Sequence, residues 1–242
     1  MLLKIFKSKN QLYSEAQKFL IKSAKQAVKE KGRFFLVLSG GGTPIPLYDL
    51  LTTSEASRKI SWKNVHLFWG DERCVPPDHE ESNYGQAKKH LLDKISIPIN
   101  QIHRIMGELA PEEAANQYNK EIALLAGEKK KWPSFDLVIL GLGTDGHVAS
   151  VFPRSEMDVS TASFAIEGDY QGRPAKRVSL SIAAISQAKK ILFLVSGLEK
   201  ADALARTMEG EINMENWPVH RLVSSNADMV WFVDQTAAAK LY

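Results

Sequence analysis

Five short apolar runs constrain this chain most: Phe34 to Leu38, Val65 to Trp69, Leu137 to Leu140, Ile191 to Val195 and Val230 to Val233. They are too short for helices and lack the strict alternation of a half-exposed strand, so they fit strands buried in a sheet. Helical patterns lie between them. Leu12, Ala16, Phe19, Leu20, Ser23 and Ala27 recur at helical spacing, which predicts an amphipathic helix over Gln11 to Lys31, closed near Gly32. Pro44 opens a helical stretch through Leu51, and Ser82 to Leu92, Pro111 to Leu125 and Leu198 to Met208 read as further helices. Val178 to Ile182 alternates like a strand. Such alternation argues for an α/β protein with a parallel sheet and helices on both faces. No linker rich in Pro, Gly or Ser and no internal repeat divides it, so residues 1–242 read as one domain. Lys129 to Lys131 reads as a solvated loop. The less regular stretch Thr144 to Pro174, with Gly168 and Gly172, fits either a mobile segment or a packed hairpin.

With 44% hydrophobic and 24% charged residues, the chain has ample material for a core. A net charge of +3 does not point to nucleic acid or membrane, yet would not repel a phosphorylated substrate. A single cysteine, Cys74, excludes an intrachain disulfide and fits a reducing cytoplasm. The opening MLLKIFKSKN is too short and too interrupted by lysine for a signal peptide. No apolar run approaches the roughly 20 residues that span a bilayer. These features predict a soluble, cytoplasmic protein.

Three segments carry chemistry. In Leu38 to Pro46, LSGGGTPIP, three glycines between a strand and a helix expose backbone N–H groups suited to a phosphate, with Ser39 and Thr43 as further donors. A plain strand-to-helix turn is the competing reading, and no Gly-Lys-Ser/Thr follows to make a Walker loop. In Trp69 to Asn83, the acids and base Asp71, Glu72 and Arg73 follow a strand end. An arginine there can fork a phosphate or steady an oxyanion; a solvated charged turn is the alternative. Cys74 beside them reads as a packed thiol.

The third segment is Phe135 to Pro153, FDLVILGLGTDGHVASVFP. A buried strand empties into a glycine turn holding Asp145 and His147, and histidine is the side chain suited to proton transfer near neutral pH. Gly141, Gly143 and Gly146 also match GxGxxG, but Pro153 interrupts the helix that a dinucleotide site requires. The remaining histidines show no metal-ligand spacing, and there is no GxSxG elbow. Hydrolysis on this chain would therefore use activated water, with no metal and no covalent nucleophile. Lys200, soon after the Ile191 strand, reads as a phosphate clamp or as a surface lysine.

Taken together, SGGGTP at Ser39 to Pro44, DERCVPPDHEESN at Asp71 to Asn83 and LGLGTDGHVASVFP at Leu140 to Pro153 resemble the 6-phosphogluconolactonases. The likeness continues through RVSLS at Arg177, VSGLEKADAL at Val195 and WFVDQTAAAKL at Trp231, nearly end to end. It implies a Rossmann-like three-layer αβα sandwich shared with glucosamine-6-phosphate deaminases, with hydrolysis of 6-phospho-D-glucono-1,5-lactone and no cofactor. It further implies a small-molecule phosphosugar lactone as partner, no nucleic acid or membrane, and a monomer or weak homo-oligomer. On this resemblance His147 is the general base, Asp145 or Asp71 orients it, and Arg73 serves phosphate or oxyanion. Gly41, Gly42, Thr43 and Lys200, with Arg177, hold the phosphate. The related deaminases carry a glutamate where this chain has Phe152, which cannot relay a proton. Deaminase-like isomerisation and a non-catalytic sugar-phosphate sensor are the alternatives; a sensor would need a DNA-binding module, for which the chain shows no spare segment.

Overall fold

A computed structural model describes residues 1–127, 131–156, 160–225 and 227–241; Lys129 and Lys130 of the charged loop lie outside the described residues. Among the described residues, ten strands form two sheets. They are β1 (Leu2–Phe6), β2 (Phe34–Leu38), β3 (Val65–Trp69), β4 (Asp71–Arg73), β5 (Ile102–His103), β6 (Leu137–Leu140), β7 (Ser163–Glu167), β8 (Lys176–Leu180), β9 (Ile191–Val195) and β10 (Met229–Asp234). The helices are α1 (Lys9–Lys31), α2 (Ile45–Leu51), α3 (Ser54–Ser57), α4 (Asn83–His90), α5 (Pro111–Leu124), α6 (Ile182–Ser186), α7 (Ala201–Glu209) and α8 (Val219–Val223).

The large sheet has seven strands in the order β1-β10-β9-β6-β2-β3-β5, each pair parallel. Every residue of β2, β6, β9 and β10 is buried, whichever face it points to, so both faces are covered. This is the α/β protein with a parallel sheet that the apolar runs predict, and the Rossmann-like sandwich that the resemblance implies. Its helix α1 buries Leu12, Ala16, Leu20, Ala24 and Ala27 at helical spacing. Ser8 caps α1 by accepting from the Gln11 N–H, and Gly32 ends it at φ 73°.

The strand order reverses between β2 and β6, which lie side by side although β3, β4 and β5 intervene in sequence. Ligands of open α/β sheets bind at such a switch point, beyond the carboxyl ends of the strands. The small sheet stands beside it. Gly70 alone separates β3 from β4: its N–H donates to Leu38 and its carbonyl accepts from Leu180. There β4 pairs antiparallel with β8, and β8 with β7.

Five strands differ from the sequence expectation. β1 is a sheet edge whose lysine-bearing sequence is largely exposed, so it carries no buried apolar run. β5 holds two residues. β4 is a strand, not a solvated turn, and Asp71, Glu72 and Arg73 are all buried. β7 with β8 makes the irregular stretch a packed hairpin over residues 163–180; Met157, Asp158 and Val159 lie outside the described residues. β8 itself ends at Leu180 rather than Ile182, because the Ser181 hydroxyl accepts from the Ala184 N–H and starts α6. No helix begins directly after Gly141, Gly143 and Gly146; the next one described is α6, so the dinucleotide fingerprint lacks its helix.

Candidate active site

A cavity of about 540 Å³ opens at the switch point, walled by the turns after β2, β6 and β9, by β4 and by the β7–β8 hairpin tip. Gly41, Gly42, Thr43, Asp71, Arg73, His147, Arg177 and Lys200 all line it. Asp145 stands directly behind His147.

The catalytic candidate sits in a tightly specified turn. Gly143 donates to the His147 carbonyl, and a Cβ at Gly143 would come within 2.1 Å of the His147 Nδ1. Gly146 adopts φ 79°, and a Cβ there would strike the Trp217 ring at 2.4 Å. Val219 donates to the Gly146 carbonyl, so the start of α8 buttresses the turn from behind. Within it, His147 Nδ1 lies 2.6 Å from Asp145 Oδ1. Burial works to raise the Asp145 carboxyl, but the hydrogen bonds and charge of His147 outweigh it and hold the group below its ordinary range. An ionised carboxylate only accepts, so Nδ1 carries the proton, and in the neutral ring Nε2 keeps its lone pair. Among the described residues, nothing hydrogen-bonds that Nε2.

Asp71 does not share this task. Its Oδ2 accepts from the Ser150 hydroxyl at 2.6 Å and its Oδ1 from Asn83 at 3.3 Å. The carboxylate that reaches the His147 ring is therefore Asp145, while Asp71 pins the turn after it. That turn is strained: Ala149 stands at φ 50°, unusual for a residue with a side chain. Between Asp71 and Arg73, Glu72 accepts from the N–H groups of Arg73, Asn83 and Tyr84 and from the Ser82 hydroxyl, tying β4 to the start of α4. Burial pushes its carboxyl up to about 7, against the pull of those donors. Burial, then Glu72 and Glu112, push the Cys74 thiol up to about 11, which leaves it an inert neighbour.

Arg73 and Arg177 face each other across β4 and β8. Arg73 Nη1 donates to the Glu81 carbonyl at 2.7 Å and pairs with its carboxylate at 3.4 Å. The Arg177 Nε donates to Pro174, and its guanidinium lies 5.1 Å over the Phe152 ring. Both are buried, yet among the described residues Arg73 Nε and Arg177 Nη2 have no hydrogen-bond partner. Burial lowers the Arg177 guanidinium from its usual range; Asp71 opposes this, and the charges of Arg73 and Arg173 add to it. Two unpaired buried donors and crowded positive charge make this wall attractive to an anion.

The glycine loop is held from two sides. Tyr48 donates to the Ser39 carbonyl at 2.7 Å, and Tyr13 to the Thr43 carbonyl at 2.8 Å. Sequence reading missed several wall residues, among them Tyr13, Tyr170, Arg173 and Ser196. Tyr170 packs edge-on against His147, ring centres 4.5 Å apart, and its hydroxyl lies 3.2 Å from that of Thr144. Arg173 reaches Glu81 at 3.6 Å. Both sit on the hairpin tip, where Gln171 and Gly172 have positive φ, as a type I′ turn demands. Gly168, Gly172 and Pro174 were the local signals for this turn.

Fold and site together define a Rossmann-like α/β protein with a cationic cleft and a histidine–aspartate pair at the switch point. A family model described as glucosamine-6-phosphate isomerases/6-phosphogluconolactonase matches residues 7–231, and the chain belongs to that family. A 6-phosphogluconolactonase of Synechocystis sp. is 36% identical over 218 residues, covering 89% of this chain and 88% of the relative. One from Mycobacterium tuberculosis is 35% identical over 247 residues, covering 99% and 98%. The structure of a Trypanosoma brucei 6-phosphogluconolactonase superposes with a TM-score of 0.87 at 26% identity, covering 100% of this chain and 98% of that one. Among the described residues, no helix is long and apolar enough to cross a membrane.

Proposed function

We propose that this chain is a single-domain cytoplasmic enzyme that hydrolyses 6-phospho-D-glucono-1,5-lactone to 6-phospho-D-gluconate. The observation that carries the reading is the His147–Asp145 pair, 2.6 Å apart, with its second ring nitrogen unpaired on the wall of an arginine-lined cavity. His147 Nε2 takes a proton from water as the water oxygen bonds to the lactone carbonyl carbon. Asp145 holds the ring and steadies the imidazolium. The tetrahedral intermediate then collapses, the bond from that carbon to the ring oxygen breaks, and the proton on Nε2 passes to the leaving oxygen. Gly41, Gly42, Thr43 and Lys200, with Arg177, hold the phosphate; Arg73 supplies positive potential to the oxyanion. Asp71 keeps the Ala149–Ser150 turn in place through Ser150.

The deaminase alternative is disfavoured by what surrounds His147. Phe152 lies 5.0 Å from the imidazole and underneath Arg177, so an apolar ring occupies the place of a second proton carrier. A coupled assay tests the reading: glucose-6-phosphate dehydrogenase generates the lactone, and its loss is followed with and without the protein. Acceleration over spontaneous hydrolysis is expected, without ammonia release from glucosamine 6-phosphate. Lactone loss at the spontaneous rate would refute it.

A further inference from the structure

The segment WFVDQTAAAKL ends β10 with a buried carboxylate that the mechanism above does not use. Asp234 is 2% exposed and, among the described residues, makes no ion pair with Lys, Arg or His. Four donors satisfy it instead. Its Oδ2 accepts from the Ser196 hydroxyl at 2.6 Å; its Oδ1 accepts from the Gly197 N–H at 3.3 Å, the Thr236 hydroxyl at 2.7 Å and the Ala237 N–H at 2.8 Å. Burial works to raise this carboxyl, and the donors, Ser196 foremost, bring it below its ordinary range. A buried charge without a counter-ion is costly unless such donors hold it, and two of the four lie on the turn between β9 and Lys200.

From Asp234 the contacts run to both sides of the glycine-loop end of the cavity. Gly197 has φ 103°, and its carbonyl accepts from the Lys200 N–H at 3.1 Å, so the Asp234 bond fixes the turn that presents Lys200. Ser196, its proton committed to Asp234, sits against the Tyr13 hydroxyl. Tyr13 in turn holds the Thr43 carbonyl. Ser196, Tyr13, Thr43 and Lys200 all line the cavity.

We propose that Asp234 is a positioning residue for phosphate binding, locking Lys200 through Gly197 and the glycine loop through Ser196 and Tyr13. The proposal rests on the reading that Thr43 and Lys200 hold the substrate phosphate. It predicts damage confined to phosphate recognition, because Asp234 lies on the β9–β10 side and His147 on the turn after β6. The test compares Asp234→Asn and Ser196→Ala with the unaltered chain, using 6-phosphogluconolactone, the unphosphorylated glucono-1,5-lactone and inorganic phosphate as probes. Losing a charge-assisted bond behind the cradle should raise KM for the phosphorylated lactone and the Kd for inorganic phosphate about tenfold. The kcat and the rate on the unphosphorylated lactone should stay within about twofold. Ser196→Ala, which removes one hydroxyl and not the carboxylate, should show the same pattern more weakly and guards against a folding defect in Asp234→Asn. Unchanged KM and phosphate Kd, with only thermal stability reduced, would overturn the proposal, as would an equal loss of kcat on both lactones. Should the unaltered chain not accelerate lactone loss, the functional reading fails on its own, while the phosphate titrations still decide whether Asp234 sets the anion site.

Discussion

Two of the histidine–carboxylate pairs among the described residues are nearly equal in geometry, and their second ring nitrogens meet different surroundings. His147 Nδ1 lies 2.6 Å from Asp145, and His103 Nδ1 lies 2.7 Å from Glu121. In each the carboxylate fixes the proton on Nδ1. What differs is the other nitrogen. His103 Nε2 lies 2.9 Å from His66 Nδ1, and the two rings stack in parallel with His103 also over Phe68. His103 is thus spent within β5 and β3, at the edge of the sheet. His147 stands beyond the carboxyl end of β6, and its Nε2 is left for a substrate or water. A hydrogen-bonded acid makes an imidazole well oriented; in the proposed mechanism, the free second nitrogen on a cavity wall is what distinguishes a base from a structural ring.

Mutation of the two pairs separates these roles. His147→Ala should lower kcat by roughly 10²–10⁴-fold with little change in KM, the range general-base catalysis supplies; near-normal turnover in the lactone assay would erase the distinction. Asp145→Asn should cost less, on the order of 10–10²-fold in kcat. The loss should fall on kcat rather than on KM, because Asp145 holds the ring and not the substrate. An equal rise in KM would mean that Asp145 only braces the turn. His103→Phe keeps the stacking but strands the His66 donor, at a cost of about 1–3 kcal/mol. The melting temperature should fall by roughly 2–10 °C, with kcat/KM within about twofold. Were His103→Phe to abolish turnover as His147→Ala does, the contrast between the pairs would collapse.

The His147–Asp145 pair was legible in sequence because its parts are local: both residues share one glycine turn after an unmistakable buried strand. The five apolar runs announced the interior of the sheet for the same reason, since burial on both faces writes itself into consecutive residues. What stayed hidden depends on distant partners. Asp71, Glu72 and Arg73 look like a solvated turn because charged residues rarely form buried strands. They form one here because Ser82, Asn83, Ser150 and Glu81 meet their polar groups, from 8 to 79 residues away. Likewise Tyr13 and Thr43 are 30 residues apart, and Ser196 and Asp234 are 38. No spacing rule connects such pairs. The two readings of the β7–β8 stretch could be separated only by its register, Ser163 with Leu180 through Glu167 with Lys176.

The smallest expected effect tests the silent pair most directly. Burial, followed by the positive charges of His103, Arg33 and Lys31, holds His66 down to about 4, well below the ordinary histidine value near 6.5. Glu121, on α5, is the acid that meets the relay, through His103. Between about pH 6.5 and 4 the unfolded chain therefore binds a proton at His66 that the folded chain refuses. The stability that neutral His66 contributes is fully present above pH 6.5 and is lost as pH falls through that window. Because the ring is only half-buried, solvent screening keeps the loss modest. His66→Gln retains a donor for His103 Nε2 but cannot titrate in this range, so its melting temperature should fall less steeply than that of the unaltered chain between pH 6.5 and 4.5. Parallel melting curves for the two proteins would place the acid sensitivity elsewhere. A matching change in kcat/KM at neutral pH would show that the edge pair communicates with the cavity, which its closed hydrogen-bond chain gives no reason to expect.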